Sequence, residues 1–291
     1  MNIKDYQNYH ENKPHVEADF PYNTYLCSIP LDFSSVSLHW HEETEIIYIK
    51  KGEGKINIDL EIFHAKAGDI FFIMPGRLHA IEQYNNNSME YENILFNMNM
   101  LMCGSNDVCT RDFFKPILKR NINIPVLLTS AHPVYTPVAS CIDEIDNLRQ
   151  TLPYGVTLAI KGCLFKMFFI LLSTKCPDTA LKYPQKTVEK LKSLLKFVEE
   201  NYMNKITIAM AAKHLNYSES HFMKFFKQSM GTSFTDYLND YRLNAAQRLL
   251  TDTSEDITGI ALNCGFDNIS YFNRLFKRKY GTTPHKYRKG E

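Results

Sequence analysis

The sequence lacks a C-x-x-C pair. Its seven cysteines, Cys27, Cys103, Cys109, Cys141, Cys163, Cys176 and Cys264, are odd in number and scattered; that argues against a paired disulfide framework and fits reduced thiols in a cytosol. A secretion leader is also missing, because the opening MNIKDYQNYHENKPH carries no apolar core, so no export is expected. Long hydrophobic runs are absent as well: the most apolar stretch, Val156 to Ser173, is interrupted by Lys161 and Lys166. No membrane span follows from it. Nor is there an excess of either charge over the whole chain, whose formal balance is +1.

What is present is ample apolar surface: 44% hydrophobic, 13% aromatic and 22% charged residues, a composition that excludes wholesale disorder. A chain of 291 residues exceeds the usual single core, so two domains are expected. The near-neutral total hides an asymmetry. From Pro184 to Glu291 there are 17 Lys and Arg against 11 Asp and Glu, a balance of +6, which leaves −5 for the remainder. A basic module joined to an acidic one points to an anionic partner for the first, with nucleic acid the commonest.

From about Tyr22 to Phe96, short β-branched and aromatic runs alternate with turn signals. Glu45–Ile49 and Lys55–Ile58 flank Lys51-Gly52-Glu53-Gly54, and further runs at Ile70–Ile73 and Ile94–Met98 are separated by Ala67-Gly68-Asp69, Pro75-Gly76 and Asn85-Asn86-Asn87-Ser88. Successive antiparallel strands of a barrel or jelly roll are expected, with a hairpin turn at 51–54. After Pro133 the spacing becomes helical: Val138, Ile142, Ile145 and Leu148 share one face, and Leu158, Cys163, Leu164, Met167, Phe168 and Leu171 share a second. These helices are expected to pack on the barrel and to contribute a dimer face. The expected organisation is therefore a barrel over 1–130, a helical packing region over 131–175, a linker over 176–186 containing Pro177 and Pro184, and a helical domain over 187–291.

That last domain repeats itself. Phe226-Lys227-Gln228-Ser229-Met230-Gly231-Thr232 lies over Phe276-Lys277-Arg278-Lys279-Tyr280-Gly281-Thr282 at an offset of 50, and Ala211 matches Ala261 at the same offset. Two copies of one unit follow. Each reads as a short helix, a tight turn (Asn216-Tyr217, Gly265-Phe266), an N-cap (Ser218, Asn268) and a second helix with two faces. In the first copy Phe222, Phe225, Phe226 and Met230 fall inward, while Ser220, His221, Met223, Lys224 and Lys227 fall outward. In the second, Phe272, Leu275 and Phe276 fall inward, and Ser270, Asn273, Arg274 and Lys277 fall outward. This is helix-turn-helix grammar written twice. Short polar groups and a long cation suit base edges, and Lys227, Lys277, Arg278 and Lys279 suit phosphates.

The stretch from Ile206 to Arg288 resembles the DNA-binding domain of the AraC/XylS (arabinose-regulator) family. The resemblance rests on Phe226-Lys227, Gly231-Thr232-Ser233-Phe234, Arg242-Leu243, Ile260-Ala261, Gly265-Phe266, Arg274, Phe276-Lys277, Gly281-Thr282 and Pro284, among others. It implies two helix-turn-helix units bridged by a long helix near Phe234–Leu250, each presenting one recognition helix to successive turns of the major groove.

Nearer the N-terminus, His39-Trp40-His41, Glu45 and Gly52, then Gly68-Asp69 and Pro75-Gly76-Arg77-Leu78-His79, resemble the two motifs of a cupin barrel, departing at Met74 and Gln83. The resemblance implies that His39, His41, Glu45 and His79 converge inside the barrel, either around a divalent metal or as the lining of an effector pocket. Three imidazoles and a carboxylate would suit zinc, iron, manganese, nickel or copper. Trp40 is expected to pack in the core.

The fold expected is thus an all-β cupin or jelly-roll barrel followed by helices, then an all-α domain with two helix-turn-helix motifs. The function expected is a cytoplasmic, sequence-specific transcription regulator, controlled by a small-molecule effector and acting on promoter DNA as a homodimer, with RNA polymerase as a further partner if it activates. The alternative is a metal-dependent cupin isomerase or dioxygenase with an appended DNA-binding domain.

Overall fold

The computed structural model describes residues 19–32, 35–104, 106–174 and 184–290. The chain separates into two compact units, Met1–Tyr183 and Pro184–Glu291. Most of the linker expected at 176–186 lies outside the described residues.

The first unit is an antiparallel β-structure of β1 (Tyr22–Ile29), β2 (Ser35–His39), β3 (Thr44–Ile58), β4 (Glu61–Lys66), β5 (Ile70–Ile73), β6 (His79–Gln83), β7 (Met89–Phe96) and β8 (Leu127–Leu128). The order β1-β7-β3-β5-β8 forms one layer, and β4 and β6 pair with the far half of β3, with β2 beyond β6. β3 therefore belongs to both layers. Its residues 44–52 pair with β7, and its residues 53–58 pair with β4.

The Lys51-Gly52-Glu53-Gly54 segment is not the turn its composition suggests, because β3 runs through it without a break. The register shifts between Ile49 and Lys51, and Gly52 sits at φ +74° with the Ser88 carbonyl so close that a Cβ would lie 1.9 Å from it. These glycines serve a bulge and a close backbone approach. The hairpin turn is instead Asp59-Leu60, at φ +48° and +71°, which closes the Ile58–Glu61 pair without the usual glycine or asparagine.

Alternation along β3 divides two cores. Ile47, Ile49, Ile56 and Ile58 point inward and fill the barrel with Phe71, Ile81 and Tyr91. On the other side, Ile46, Ile70, Phe72 and Phe96 meet helices. Those helices are α1 (Lys115–Leu118), which follows a π turn at Thr110–Phe114, then α2 (Tyr135–Thr151) and α3 (Val156–Ser173). Val138, Ile142 and Ile145 of α2 and Cys163, Leu164, Met167, Phe168 and Leu171 of α3 are buried as expected, and Leu148 is half-buried. Leu158 is the exception: it stands 76% exposed, on the face of α3 turned away from the core. By length and composition α3 is the one helix among the described residues that could cross a membrane, but its inward face is part of this core.

The second unit is all helical: α4 (Gln185–Asn201), α5 (Ile208–His214), α6 (Glu219–Met230), α7 (Phe234–Asp252), α8 (Ile257–Asn263), α9 (Ile269–Tyr280) and α10 (Pro284–Lys289). Side-chain caps start most of them: Thr207 on Met210 N, Ser218 on His221 N, Ser233 on Asp236 N, Asp256 on Thr258 N and Gly259 N, Asn268 on Tyr271 N, and Thr283 on Lys286 N. α6 and α9 both end at a left-handed glycine, Gly231 and Gly281. Phe222 and Phe226 pack on Phe234 and Tyr237, as Phe276 packs on Tyr287.

The repeat is not in one frame. α6 and α9 are offset by 50 residues, whereas α5 and α8 are offset by 49. The turn bonds agree, since Tyr217 N donates to Ala212 O and Phe266 N to Ala261 O. The structural counterpart of Ala261 is therefore Ala212, not Ala211, and the second copy carries one extra residue between its turn and its cap.

Candidate functional site

The helix-turn-helix faces are open. Ser220, His221, Met223, Lys224 and Lys227 on α6, and Ser270, Asn273, Arg274 and Lys277 on α9, are all exposed, while Phe222, Phe226, Phe272, Leu275 and Phe276 behind them are buried. Phe225 and Met230 are half-buried rather than buried. His221 leans on Tyr217, with ring centroids 4.2 Å apart. The Arg274 guanidinium lies 5.3 Å from the Tyr271 ring centroid, and among the described residues it forms no ion pair with Asp267. A stacked guanidinium loses less freedom when it meets a ligand.

One expected phosphate cation is otherwise engaged. Lys279 bonds Asp240 and Asn244 of α7, and burial lowers its pKa against the opposing pull of Asp240. Its long stem folds back onto α7. α9 still ends on Lys277 and Arg278, cations placed where a helix C-terminus favours them.

In the first unit, His39 ends β2, His41 follows it by two residues, Glu45 lies at the start of β3 and His79 opens β6 opposite His39. All four are buried, with one ligand atom from each within 4.8 Å of the others. His41 Nε2 and His79 Nε2 lie 3.0 and 2.7 Å from Glu45 Oε2. His39 Nδ1 is 2.9 Å from the Ser37 carbonyl, and His79 Nδ1 is 2.9 Å from the Arg77 carbonyl. A carbonyl only accepts, so both Nδ1 atoms donate; the His39 ring, when neutral, then offers the lone pair of its Nε2, whereas His79 Nε2 faces the Glu45 carboxylate.

Burial, followed by the neighbouring His79 and His41, pushes the pKa of His39 well below its ordinary value. Burial on its own would raise the Glu45 carboxyl, but His79 and His41 together outweigh it and hold that carboxyl well below the usual range. Three imidazole nitrogens and a carboxylate gathered in a buried space fit a divalent transition-metal ion by donor chemistry, with backbone carbonyls orienting two of the rings from behind.

One contributor escapes sequence reading. Asp59, buried in the β3–β4 turn, accepts from Leu78 N at 3.1 Å and donates its own N–H to Leu78 O at 2.8 Å; Arg77 Nε is 3.7 Å from its other oxygen. Asp59 thereby fixes the residue before His79. Gly76 N donates to His41 O at 2.8 Å, so the two histidine loops are tied to each other.

Comparison with known proteins agrees with this layout. A family model described as a helix-turn-helix domain matches residues 211–290, and one described as an AraC-like ligand binding domain matches residues 31–132. The chain belongs to the AraC family of transcription regulators. It is 24% identical over 97% of both chains to YdeC, an uncharacterized HTH-type transcriptional regulator of Bacillus subtilis. It is also 24% identical to RhaR, an HTH-type transcriptional activator of Mannheimia succiniciproducens, over 86% of each. Among solved structures, an AraC-type transcriptional regulator from Chromobacterium violaceum is 30% identical, covering 34% of this chain and 89% of that one, with a TM-score of 0.33.

Proposed function

We propose that this AraC-family regulator reads a specific promoter sequence through α6 and α9, and that a small molecule taken up at His39, His41, Glu45 and His79 controls it. The observation that carries the DNA reading is the duplicated outward face, with each copy capped, closed by a left-handed glycine and backed by buried phenylalanines. Arg274 contacts a base edge, Lys277 the backbone one turn further on. Dimeric action in the cytoplasm on repeated half-sites belongs to the same reading. The enzyme alternative gains no support from the relatives, which are named as regulators.

At the barrel, the four clustered side chains would hold a divalent ion; bound there, it would supply a Lewis-acidic seat for oxygen or nitrogen donors of an organic effector. His39 and His79 hold their rings ready through Ser37 O and Arg77 O, and Glu45 supplies the negative charge.

The test uses DNA selected from a random pool by the full chain. Arg274→Ala should cost roughly 1–3 kcal/mol at the selected site and relax preference at one base pair, while Lys277→Ala weakens binding to all sequences alike. An unchanged single-base preference profile for Arg274→Ala, at unchanged melting temperature, would overturn the base-reading role.

A further inference from the structure

Tyr271 stands three residues before Arg274 on α9, a spacing that makes the two side chains neighbours on the helix surface. The tyrosine is held at three points. Its backbone N–H donates to Asn268 Oδ1 at 2.8 Å, its side chain packs against the cluster that includes Phe272 and Phe276, and its hydroxyl accepts from Asn239 Nδ2 of α7 at 3.0 Å. Asn239 is 9% exposed, so little water competes for that bond, and losing it would strand a buried amide.

The ring in turn carries a cation. The Arg274 guanidinium lies 5.3 Å from the ring centroid, inside the range of about 6 Å over which an aromatic face attracts a charge, and Arg274 itself stays exposed. Asn239, Tyr271 and Arg274 thus form one line of contacts from a buried amide to an open guanidinium.

That line begins on the helix that also holds the other recognition helix. Tyr237 packs on Phe226 of α6 with ring centroids 5.2 Å apart, and two positions further along α7 Asn239 meets Tyr271 of α9. Two residues turn an α-helix by about 200°, so α7 grips α6 on one side and α9 on the other. The first copy holds the equivalent position differently. His221, fifty positions before Tyr271, leans on Tyr217 of its own turn, and Lys190 Nζ of α4 lies 3.9 Å from the Tyr217 centroid.

We infer that Asn239 and Tyr271 are positioning residues that aim Arg274 at its base and so set specificity without reading the DNA themselves. A guanidinium free to swing finds another acceptor, on a neighbouring base or a phosphate, when its preferred base is replaced. One seated on a fixed ring cannot, and the wrong base keeps its full cost. Anchoring that ring to α7 also references the aim of Arg274 to the helix against which α6 is packed. The inference rests on the base-reading role proposed for Arg274, and the variants below separate the failure of one from the failure of the other.

The full chain is measured against the DNA it selects from a random pool and against each single-base change in that DNA. Tyr271→Phe removes the hydroxyl, Asn239→Leu removes its partner at similar volume, and Tyr271→Ala removes the ring. Each should lower discrimination roughly two- to fivefold at the base pair that Arg274→Ala identifies. In an Arg274→Ala background none of the three should change the preference profile further. A merely structural loss does not imitate this pattern, because a smaller folded fraction lowers binding to all sequences alike and leaves their ratios untouched. An unchanged profile for Arg274→Ala would remove the base-reading role and the aiming with it. A relaxed profile for Arg274→Ala beside unchanged profiles for Tyr271→Phe and Asn239→Leu would overturn the aiming alone. A change at a different base pair that persists without Arg274 would make Tyr271 a reader of DNA in its own right, which also overturns the positioning role.

Discussion

Gly265 illustrates how much one position can carry. It sits at φ +82°, and a Cβ there would lie 2.4 Å from the Tyr202 carbonyl and 2.9 Å from the Arg242 guanidinium. Arg242 donates to Tyr202 O at 2.9 Å and to Asn204 O at 2.7 Å, tying α7 to the loop between α4 and α5. Gly265→Ala should cost roughly 1–3 kcal/mol in denaturant unfolding, since both backbone strain and displacement of that arginine oppose it. Asn216→Gly, at the equivalent turn, should be near neutral because glycine adopts its φ of +55° without cost. At the barrel, adding one equivalent of zinc or another divalent transition metal to the chelator-stripped chain should raise its melting temperature. His79→Ala and Glu45→Gln should abolish the rise. An equal rise in both variants would place the ion elsewhere. The four clustered residues were legible because His39-Trp40-His41, Glu45 and His79 resemble the two motifs of a cupin barrel. Asp59 was not, since its partner Leu78 is 19 residues away and only the fold brings them together.

At the scale of elements, the contact between β7 and α2 carries a titratable joint. Lys50 Nζ is 2.7 Å from Glu92 Oε2 and 3.9 Å from Asp146 Oδ2. Burial, together with the Glu92 carboxyl, pushes Asp146 up to about 7. An acid whose folded pKa exceeds its unfolded value of about 3.9 stabilises the fold while protonated. That contribution is complete below about pH 4 and is lost as pH rises through about 7. Asp146→Asn, which imitates the protonated form, should therefore unfold at higher urea than the parent at pH 8 and by a clearly smaller margin at pH 5, part-way between the two pKa values. A constant difference between the two pH values would assign the effect to something other than the proton. The helices of the second unit were readable because caps, glycine stops and the buried phenylalanine pairs agree with one another. β3 was misread at its middle, because glycine that signals a turn in sequence equally serves a bulge pressed against Ser88. Leu158 was misread because helical spacing shows that a stripe is apolar, not whether the domain itself covers it.

For the whole molecule, the division at Tyr183–Pro184 predicts that a fragment of residues 184–291 folds and selects the same DNA sequence as the full chain. Its affinity should be lower by whatever pairing of two copies contributes. With Lys224, Lys227, Lys277 and Arg278 exposed, binding by fragment and full chain alike should weaken on the order of a hundredfold between about 50 and 200 mM salt. A folded fragment that binds all sequences equally, or a salt-independent constant, would contradict the assignment of recognition to this unit.

The extra residue before the second cap has an outcome that shows only on the DNA. α6 brings serine, histidine and methionine to its outward face; α9 brings serine, asparagine and arginine, on a turn one residue longer. On the proposed reading, in which both helices enter DNA, a single chain would read two unlike half-words in a fixed order. Its recognition sequence would then have a head and a tail, and DNA selected from a random pool should yield two unlike half-sites in one constant order; two identical half-sites would contradict it.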